Sequence, residues 1–156
     1  MKIALLSKYN ILLIEEVHNI YNSAFSDNVF RIWDIKDFID IYNMGSKFYL
    51  LYEKNNLIAY SVFLIGKNVG EIISIGVKET FQSMGYGRHL IRNFIKTNEN
   101  ITKLNLEVAK SNYKAISFYH SLGFHHVDTR KNYYLVRRGL DKGKKIHALI
   151  LEMNIK

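Results

Sequence analysis

Apolar residues in the first third of the chain recur with the period of an α-helix. Between Leu12 and Phe25 they lie on one helical face, at Leu13, Val17, Ile20, Tyr21 and Phe25. This spacing predicts an amphipathic helix over Leu12–Phe25. A similar pattern predicts a second helix from about Ile35 to Tyr42.

The middle of the chain changes to the pattern of β-strands. Three segments rich in aromatic and β-branched residues predict strands, namely Lys47–Glu53, Leu57–Ile65 and Glu71–Val77. Asn55-Asn56 separates the first two segments and predicts a hairpin turn. The third segment is apolar at most positions, which is typical of a strand buried on both faces.

The second half returns to helical spacing and then alternates. A helix is predicted from four apolar residues on one face, at Leu90, Ile91, Phe94 and Ile95. A strand buried on one side is predicted where Leu104, Leu106 and Val108 alternate with Asn105 and Glu107. A last helical face consists of Ala115, Ile116, Tyr119 and Leu122.

The ends of this last helix carry recognisable signals. Ser111-Asn112 is a plausible N-cap, and Gly123 stands where a helix terminus favours a left-handed residue. Two closing strands, Phe124–Thr129 and His147–Met153, complete the chain. The order of elements predicts an α/β fold with one mixed sheet and a parallel βαβ step in its middle.

Composition limits the class of protein. The chain has 156 residues, 48% hydrophobic and 23% charged, which predicts one folded domain over residues 1–156. There is no cysteine, so disulfides, thiolate metal sites and cysteine nucleophiles are excluded. The apolar runs Ile3–Leu6 and Ile11–Ile14 are too short for a signal peptide or a membrane span, so we expect a cytoplasmic protein with no membrane partner.

The positive charge is concentrated near the C-terminus. The net charge is +8, and eight basic residues lie between Arg130 and Lys156, opposed only by Asp141 and Glu152. A basic patch suits a polyanionic partner or an anionic cofactor, and a solvated basic loop remains equally open.

A glycine loop lies between the third predicted strand and the next helix. Its sequence, Gln82-Ser83-Met84-Gly85-Tyr86-Gly87-Arg88, leaves several amide N–H groups at a helix N-terminus, an arrangement that binds phosphate. A P-loop would need Gly-Lys-Ser/Thr where Gly87 is followed by Arg88-His89, and a dinucleotide site would need glycine at Leu90. On its own the loop is as consistent with a structural turn as with a ligand site.

The motif Gln82-x-x-Gly85-x-Gly87 resembles the signature of the GCN5-related N-acetyltransferase (GNAT) superfamily. The resemblance continues through Leu106-Glu107-Val108 and Ser121-Leu122-Gly123-Phe124, and it covers about Ser23 to Ile155. Lys131-Asn132-Tyr133-Tyr134 is similar to the Arg-Asn-Tyr-Tyr segment of bacterial RimI-like enzymes. Those enzymes acetylate the N-terminal amine of a small-subunit ribosomal protein.

The resemblance implies a mostly antiparallel GNAT sheet with flanking helices, acetyl-CoA as cosubstrate and no metal. It assigns the pantetheine arm to backbone groups of Ile75, Gly76 and Val77. It also implies that the pyrophosphate is bound by the loop residues Gln82, Ser83, Met84, Gly85, Tyr86, Gly87 and Arg88. Asn112 would contact the CoA chain, and Tyr133 and Tyr134 would bind the acceptor. Glu107 matches the general base and Tyr119 the general acid.

These residue types suit acetyl transfer to an amine. An ammonium ion has no lone pair, so a carboxylate such as Glu107 is needed to remove a proton, directly or through water. The departing CoA sulfur gains a proton, which a tyrosine such as Tyr119 can donate. Spacing alone favours an exposed strand position for Glu107, and the resemblance reverses that preference. For Tyr119 the alternative is a core aromatic at helical spacing.

Two departures from the family concern the acceptor side. Glu79 and Leu135 stand where the family often has proline, and Leu135–Lys145 is basic where RimI-like enzymes tend to be acidic. The acceptor is therefore open between a protein N-terminus, a small amine and a lysine side chain. A basic RNA- or ribosome-binding module without catalysis is the alternative from another class, although we expect no direct nucleic-acid function.

The remaining polar candidates are weaker. His125 and His126 are adjacent on a predicted strand, so their side chains point to opposite faces and cannot share a metal ion. The serines at 74, 83 and 111 lack a nucleophile-elbow context, and His89 and His120 are expected on helix surfaces.

Overall fold

One seven-stranded sheet with helices on both faces organises the protein. The computed structural model describes residues 1–155. Its helices are α1 (Ile11–Ala24), α2 (Ile35–Asn43), α3 (Tyr86–Thr97) and α4 (Tyr113–His120). Its strands are β1 (Lys2–Leu5), β2 (Lys47–Glu53), β3 (Asn56–Ile65), β4 (Val69–Val77), β5 (Lys103–Ala109), β6 (His125–Leu135) and β7 (Lys145–Asn154). A short 3₁₀ turn, Glu79–Phe81, precedes α3.

The strand order in the sheet is β1-β2-β3-β4-β5-β7-β6. Neighbouring strands are antiparallel except β4 and β5, which are parallel and joined through α3. The predicted mixed, mostly antiparallel sheet with a central parallel βαβ step is therefore confirmed.

Two strands differ from the sequence-based expectation. β1 was not predicted, because four residues are too few to show a period, yet Ile3 pairs with Leu51 of β2. β6 continues to Leu135 instead of ending at Thr129. It is an edge strand that pairs only with β7, and two irregularities break its register, so its mostly exposed residues show no clear alternation.

The helices pack on opposite faces of the sheet. On one face α1 and α2 contribute Ile14, Val17, Ile20 and Phe38 to a core with Phe48 and Tyr60. On the other face α3 and α4 contribute Leu90, Phe94 and Tyr119 to a core with Leu104 and Leu106. Asn10 caps α1 and Asp34 forms a capping box at α2, so the local sequence fixes where both helices begin.

The centre of the sheet is open at one end. β4 pairs with β5 only from Val69–Ile72, opposite residues 103–106. Between β3 and β4 the partner of Val62 is Ser74 and that of Phe63 is Ile72, so Ile73 is an extra residue that bends β4. Beyond this bulge β4 stays paired with β3, and β5 stays paired with β7, which leaves a gap between them. Of the helices described over residues 1–155, none is long and apolar enough to cross a membrane.

Candidate active site

A cavity of about 420 Å³ lies in the gap between β4 and β5. Its walls come from both strands, from α4 and from the α1–α2 connection, residues 25–34. The polar side chains in these walls include Ser74, Glu107, Asn112, Tyr119 and Tyr134. A larger cleft, about 520 Å³, lies at the β1 edge beside Met1 and Lys54 and is lined by no carboxylate. The chemistry is therefore concentrated at the sheet gap.

Glu107 lies in this cavity with both carboxylate oxygens engaged. Its side chain is 20% exposed, and Oε2 lies 3.0 Å from Nη1 of Arg130. Oε1 accepts a 3.3 Å hydrogen bond from the Tyr134 hydroxyl. Burial chiefly, and then the negative charge of Glu107, raise the pKa of Tyr134, so this tyrosine remains a neutral donor. The carboxylate is thus held by two groups on one side of the cavity.

The bulged part of β6 aims Tyr134 at Glu107. Between Arg130 and Tyr134 the β6 chain advances four residues while β7 advances two, from Ala148 to Ile146. Asn132 takes a left-handed conformation, φ 52°, and its N–H donates to Nδ1 of His147 at 2.9 Å. The sequence predicted Tyr134 near the acceptor but assigned no role to Arg130, since a bulge in an edge strand cannot be read from residue spacing.

Aromatic rings extend the cavity wall at Tyr134 towards solvent. Phe30 packs 5.0 Å from the Tyr134 ring, and Tyr133 packs perpendicular to Tyr134 at 5.1 Å. Tyr133 is half exposed, and the Arg130 guanidinium lies 5.4 Å from its ring centre. Sequence reasoning missed Phe30, because it lies in a connection with no periodic pattern.

Tyr119 approaches the cavity from the opposite face of the sheet. It lies on α4, packs against Phe118 and Phe124, and is 8% exposed. Within residues 1–155 its hydroxyl makes no hydrogen bond, and it lines the cavity. Burial raises the pKa of Tyr119, so its hydroxyl carries a proton at neutral pH. The gap therefore brings Glu107 and Tyr119 to one cavity although they belong to different faces.

The glycine loop presents a series of amide donors. Ser83 and Gly85 both have positive φ, 63° and 86°, and Gly85 is the N-cap of α3. Among residues 1–155, the N–H groups from Ser83 to Arg88 find no hydrogen-bond acceptor, and no side chain caps α3. Unpaired amides at the positive end of a helix attract an anionic group.

Gln82 braces the start of the loop. Its Nε2 donates to the Val77 carbonyl at 3.1 Å, and its Oε1 accepts from Lys114 Nζ at 3.2 Å. Tyr86 donates to Glu53 at 3.2 Å, while Met84 is largely exposed. The side chains of Gln82 and Tyr86 thus fix the shape of the loop, and residues 83–85 are exposed.

Two loop residues also hold α3 against α4. A Cβ on Gly87 would lie 3.1 Å from Phe118, so a small residue is needed for helix packing. The Arg88 guanidinium donates to Ser121 Oγ at 2.9 Å and to the Ser121 carbonyl at 3.4 Å. In this arrangement its charge lies at the C-terminal end of α4.

The β4 residues beyond the bulge keep one backbone edge open. Ile75, Gly76 and Val77 pair with β3 but not with β5. A Cβ on Gly76 would lie 2.5 Å from the Tyr60 ring, and the Tyr60 hydroxyl hydrogen-bonds Ser74 at 2.7 Å. Asn112 lies at the same end of the cavity, where its Oδ1 caps α4 through Ala115 N–H at 3.1 Å.

No group of three potential metal ligands is found among residues 1–155. His126 contacts Thr129 Oγ1 at 2.8 Å, on the exposed side of β6. The cavity is lined by the carboxylates of Asp27 and Glu107, the Arg31 guanidinium and tyrosine hydroxyls, and Arg130 pairs with Glu107.

Comparison with known proteins agrees with this geometry. A sequence profile described as the acetyltransferase (GNAT) family matches residues 14–124. A [ribosomal protein bS18]-alanine N-acetyltransferase from Haemophilus ducreyi is 33% identical over 113 residues, 70% of this chain and 78% of the relative.

Two solved structures share the fold. The ribosomal-protein-S18-alanine N-acetyltransferase from Escherichia coli has a TM-score of 0.81 at 24% identity, with 99% of this chain and 95% of that chain covered. A Bacillus subtilis acetyltransferase in complex with CoA has a TM-score of 0.75 at 18% identity, with 99% of each chain covered. The resemblance inferred from the glycine loop is confirmed: the chain belongs to the GNAT acetyltransferase family and is an N-acetyltransferase.

Proposed function

We propose that this enzyme transfers the acetyl group of acetyl-CoA directly to the N-terminal α-amine of a protein, with a ribosomal protein as the first acceptor to test. The relative from Haemophilus ducreyi is named for that reaction on alanine of bS18. The observation that carries the proposal is the Glu107 carboxylate, held by Arg130 and Tyr134 at the cavity that Tyr119 enters from the other face.

The residues present fit acetyl-CoA. The unpaired amides of Ser83–Arg88 suit its pyrophosphate, with Gln82 bracing the loop. The open edge of β4 at Ile75–Val77 suits the amides of the pantetheine arm, and Asn112 lies at the same end of the cavity. When bound, acetyl-CoA supplies an activated acetyl thioester.

Glu107 is the proposed base. An incoming ammonium group must lose a proton before its nitrogen can attack, and the Glu107 carboxylate lines the cavity together with Tyr119. Because Arg130 and Tyr134 each hold one oxygen, the carboxylate has a fixed orientation. A bridging water between the amine and the carboxylate serves equally well.

Tyr119 is the proposed acid. Its hydroxyl keeps its proton because burial raises its pKa, and it donates no hydrogen bond within residues 1–155. A proton that is bound and not already shared is available to the departing sulfur.

The α-amine is favoured over lysine on chemical grounds. An α-amine has a pKa of about 7.7–8.0 and a lysine about 10.4, so one carboxylate deprotonates the α-amine far more readily at neutral pH. Tyr133, Tyr134 and Phe30 form a wall that suits the first residues of an extended chain.

Intact-mass spectrometry tests the proposal. Purified protein and acetyl-CoA are incubated with the bS18 chain, a lysine peptide and a polyamine in parallel. We expect one added acetyl group on the α-amine of bS18, and a loss of about 10²–10⁴ in rate for Glu107→Gln.

Glu152→Gln is the matched control. Glu152 is 21% exposed and pairs with Lys103 at 2.9 Å, much as Glu107 pairs with Arg130, yet it lies outside the cavity. It should keep full activity. Faster acetylation of the polyamine or the lysine peptide than of bS18 would refute the α-amine assignment.

A further inference from the structure

A strongly basic hairpin connects β6 to β7 beside the cavity. This basic hairpin, residues 136–145, is closed by Val136 N–H to the Lys144 carbonyl at 2.9 Å and by Gly143 N–H to the Val136 carbonyl at 2.8 Å. Its cations are all exposed: Arg137, Arg138, Lys142, Lys144 and Lys145. Asp141 is the acidic residue of the hairpin, and it pairs with Lys144 at 2.6 Å.

Four of these cations lack a carboxylate partner. Within residues 1–155, no carboxylate lies within 4.0 Å of Arg137, Arg138, Lys142 or Lys145. Like charges crowded into one hairpin repel each other, and a bound polyanion relieves that repulsion. The hairpin is therefore built to meet negative charge from outside the chain.

The hairpin is fastened to the wall of the cavity. Arg137 N–H donates to the Val29 carbonyl at 2.8 Å, and Arg138 donates to the carbonyls of Asn28 at 2.5 Å and Ser26 at 3.2 Å. These carbonyls belong to the α1–α2 connection that lines the cavity. Arg137 also follows Tyr134 by three residues, a chain distance of about 10 Å. A ligand on the hairpin is thus held near Glu107.

The position of the hairpin argues against CoA as the anion it meets. The loop Ser83–Arg88 starts α3, which packs on one face of the sheet, whereas the hairpin joins the connection between α1 and α2 on the other face. The amides proposed to hold the pyrophosphate and the basic hairpin therefore serve different ligands.

We propose that the basic hairpin docks RNA carried by the acceptor, so that an acceptor within a ribonucleoprotein is acetylated faster than the free protein chain. This inference rests on the proposed function, and it departs from the expectation of no nucleic-acid role. RNA is favoured over an acidic protein because a phosphate backbone offers regularly spaced charges to solvated arginine and lysine side chains without needing an apolar pocket.

Binding is tested by fluorescence anisotropy with a short labelled RNA hairpin and the full chain. The triple variant Arg137→Gln, Lys142→Gln and Lys145→Gln removes three charges and leaves the anchoring Arg138 in place. The control variant Lys8→Gln, Lys67→Gln and Lys96→Gln removes the same charge from exposed positions elsewhere.

Wild type and control should bind with affinity that falls steeply between about 50 and 200 mM salt. The hairpin variant should bind at least roughly tenfold more weakly at low salt, with the slope of log affinity against log salt reduced by about 2–3. Equally weakened RNA binding in both variants would overturn the assignment of the RNA site to the hairpin. Displacement of the RNA by an acidic peptide of equal charge would overturn the choice of RNA as the ligand.

Activity separates this inference from the proposed function. With a free N-terminal peptide, the acetylation rate of the hairpin variant should match that of wild type within about twofold. Wild type should acetylate the RNA-bound acceptor faster than the free peptide, and the hairpin variant should not. If wild type does not acetylate the free peptide, the proposed function is refuted, and the proposed RNA site is not affected. Equal rates of both proteins on the RNA-bound acceptor would refute the inference.

Discussion

The Tyr134 hydroxyl reaches Glu107 across the whole width of an intervening strand. Glu107 is on β5 and Tyr134 on β6, and β7 lies between them in the sheet. Two strand spacings amount to about 10 Å, which only long side chains span. Ala148 of β7, paired with Arg130 and fully buried, leaves room for this bridge. The proposed base is therefore oriented by residues from an edge strand.

Removing the Tyr134 hydroxyl should weaken catalysis without affecting the cofactor. For Tyr134→Phe we expect kcat/KM for the acceptor to fall about tenfold, equivalent to roughly 1.4 kcal/mol for a hydrogen bond to a charged group. KM for acetyl-CoA should stay constant, since Tyr134 lies away from the Ser83–Arg88 loop. Steady-state kinetics with each substrate varied separately measure this, and an unchanged kcat/KM would show that the bond does not orient Glu107.

Tyr119→Phe should separate catalysis from stability. The hydroxyl makes no hydrogen bond within residues 1–155, so its loss should leave the free energy of unfolding within about 0.5 kcal/mol. As the proposed acid its loss should lower kcat by about 10² or more. Tyr49→Phe is the control: Tyr49 is buried and accepts from Asn98 at 2.9 Å, so it should lose about 1 kcal/mol of stability and no activity. If Tyr119→Phe instead loses stability and keeps its kcat, Tyr119 is a core residue and not the acid.

Gly85 offers a direct test of the glycine loop. Its φ of 86° is left-handed, and a Cβ there would meet nothing within 4 Å, so Gly85→Ala should cost about 1–2 kcal/mol through the backbone alone. Shifting the loop amides should also raise KM for acetyl-CoA roughly tenfold. Gly45→Ala is matched, with φ of 89° and open space, and should lose similar stability with no change in KM. Equal KM values in both variants would remove the loop from cofactor binding.

Features that depend on local interactions along the chain could be predicted from the sequence, and features that depend on long-range contacts could not. Helices and core strands are set by local spacing, and so α3 and β5 lie close to where their apolar faces placed them. The gap between β4 and β5 depends on the bulge at Ile73, and no sequence signal marks Ile73 as the extra residue. Glu107 and Tyr119 were proposed as site residues through the family resemblance, whereas the contact of Arg130 with Glu107 required the register of β6 against β7.

Buried tyrosines should make stability fall in alkali. Burial raises the pKa of Tyr60 and Tyr119 above the value of about 10 for an unfolded chain. Below pH 10 both states hold the proton and stability is unaffected. Above it the unfolded state loses the proton first, so the free energy of unfolding drops by up to about 1.4 kcal/mol per pH unit for each tyrosine. Urea unfolding from pH 8 to 11 measures this slope. Tyr119→Phe should reduce it, Tyr9→Phe at a half-exposed position should not, and equal slopes would contradict the burial of the Tyr119 hydroxyl.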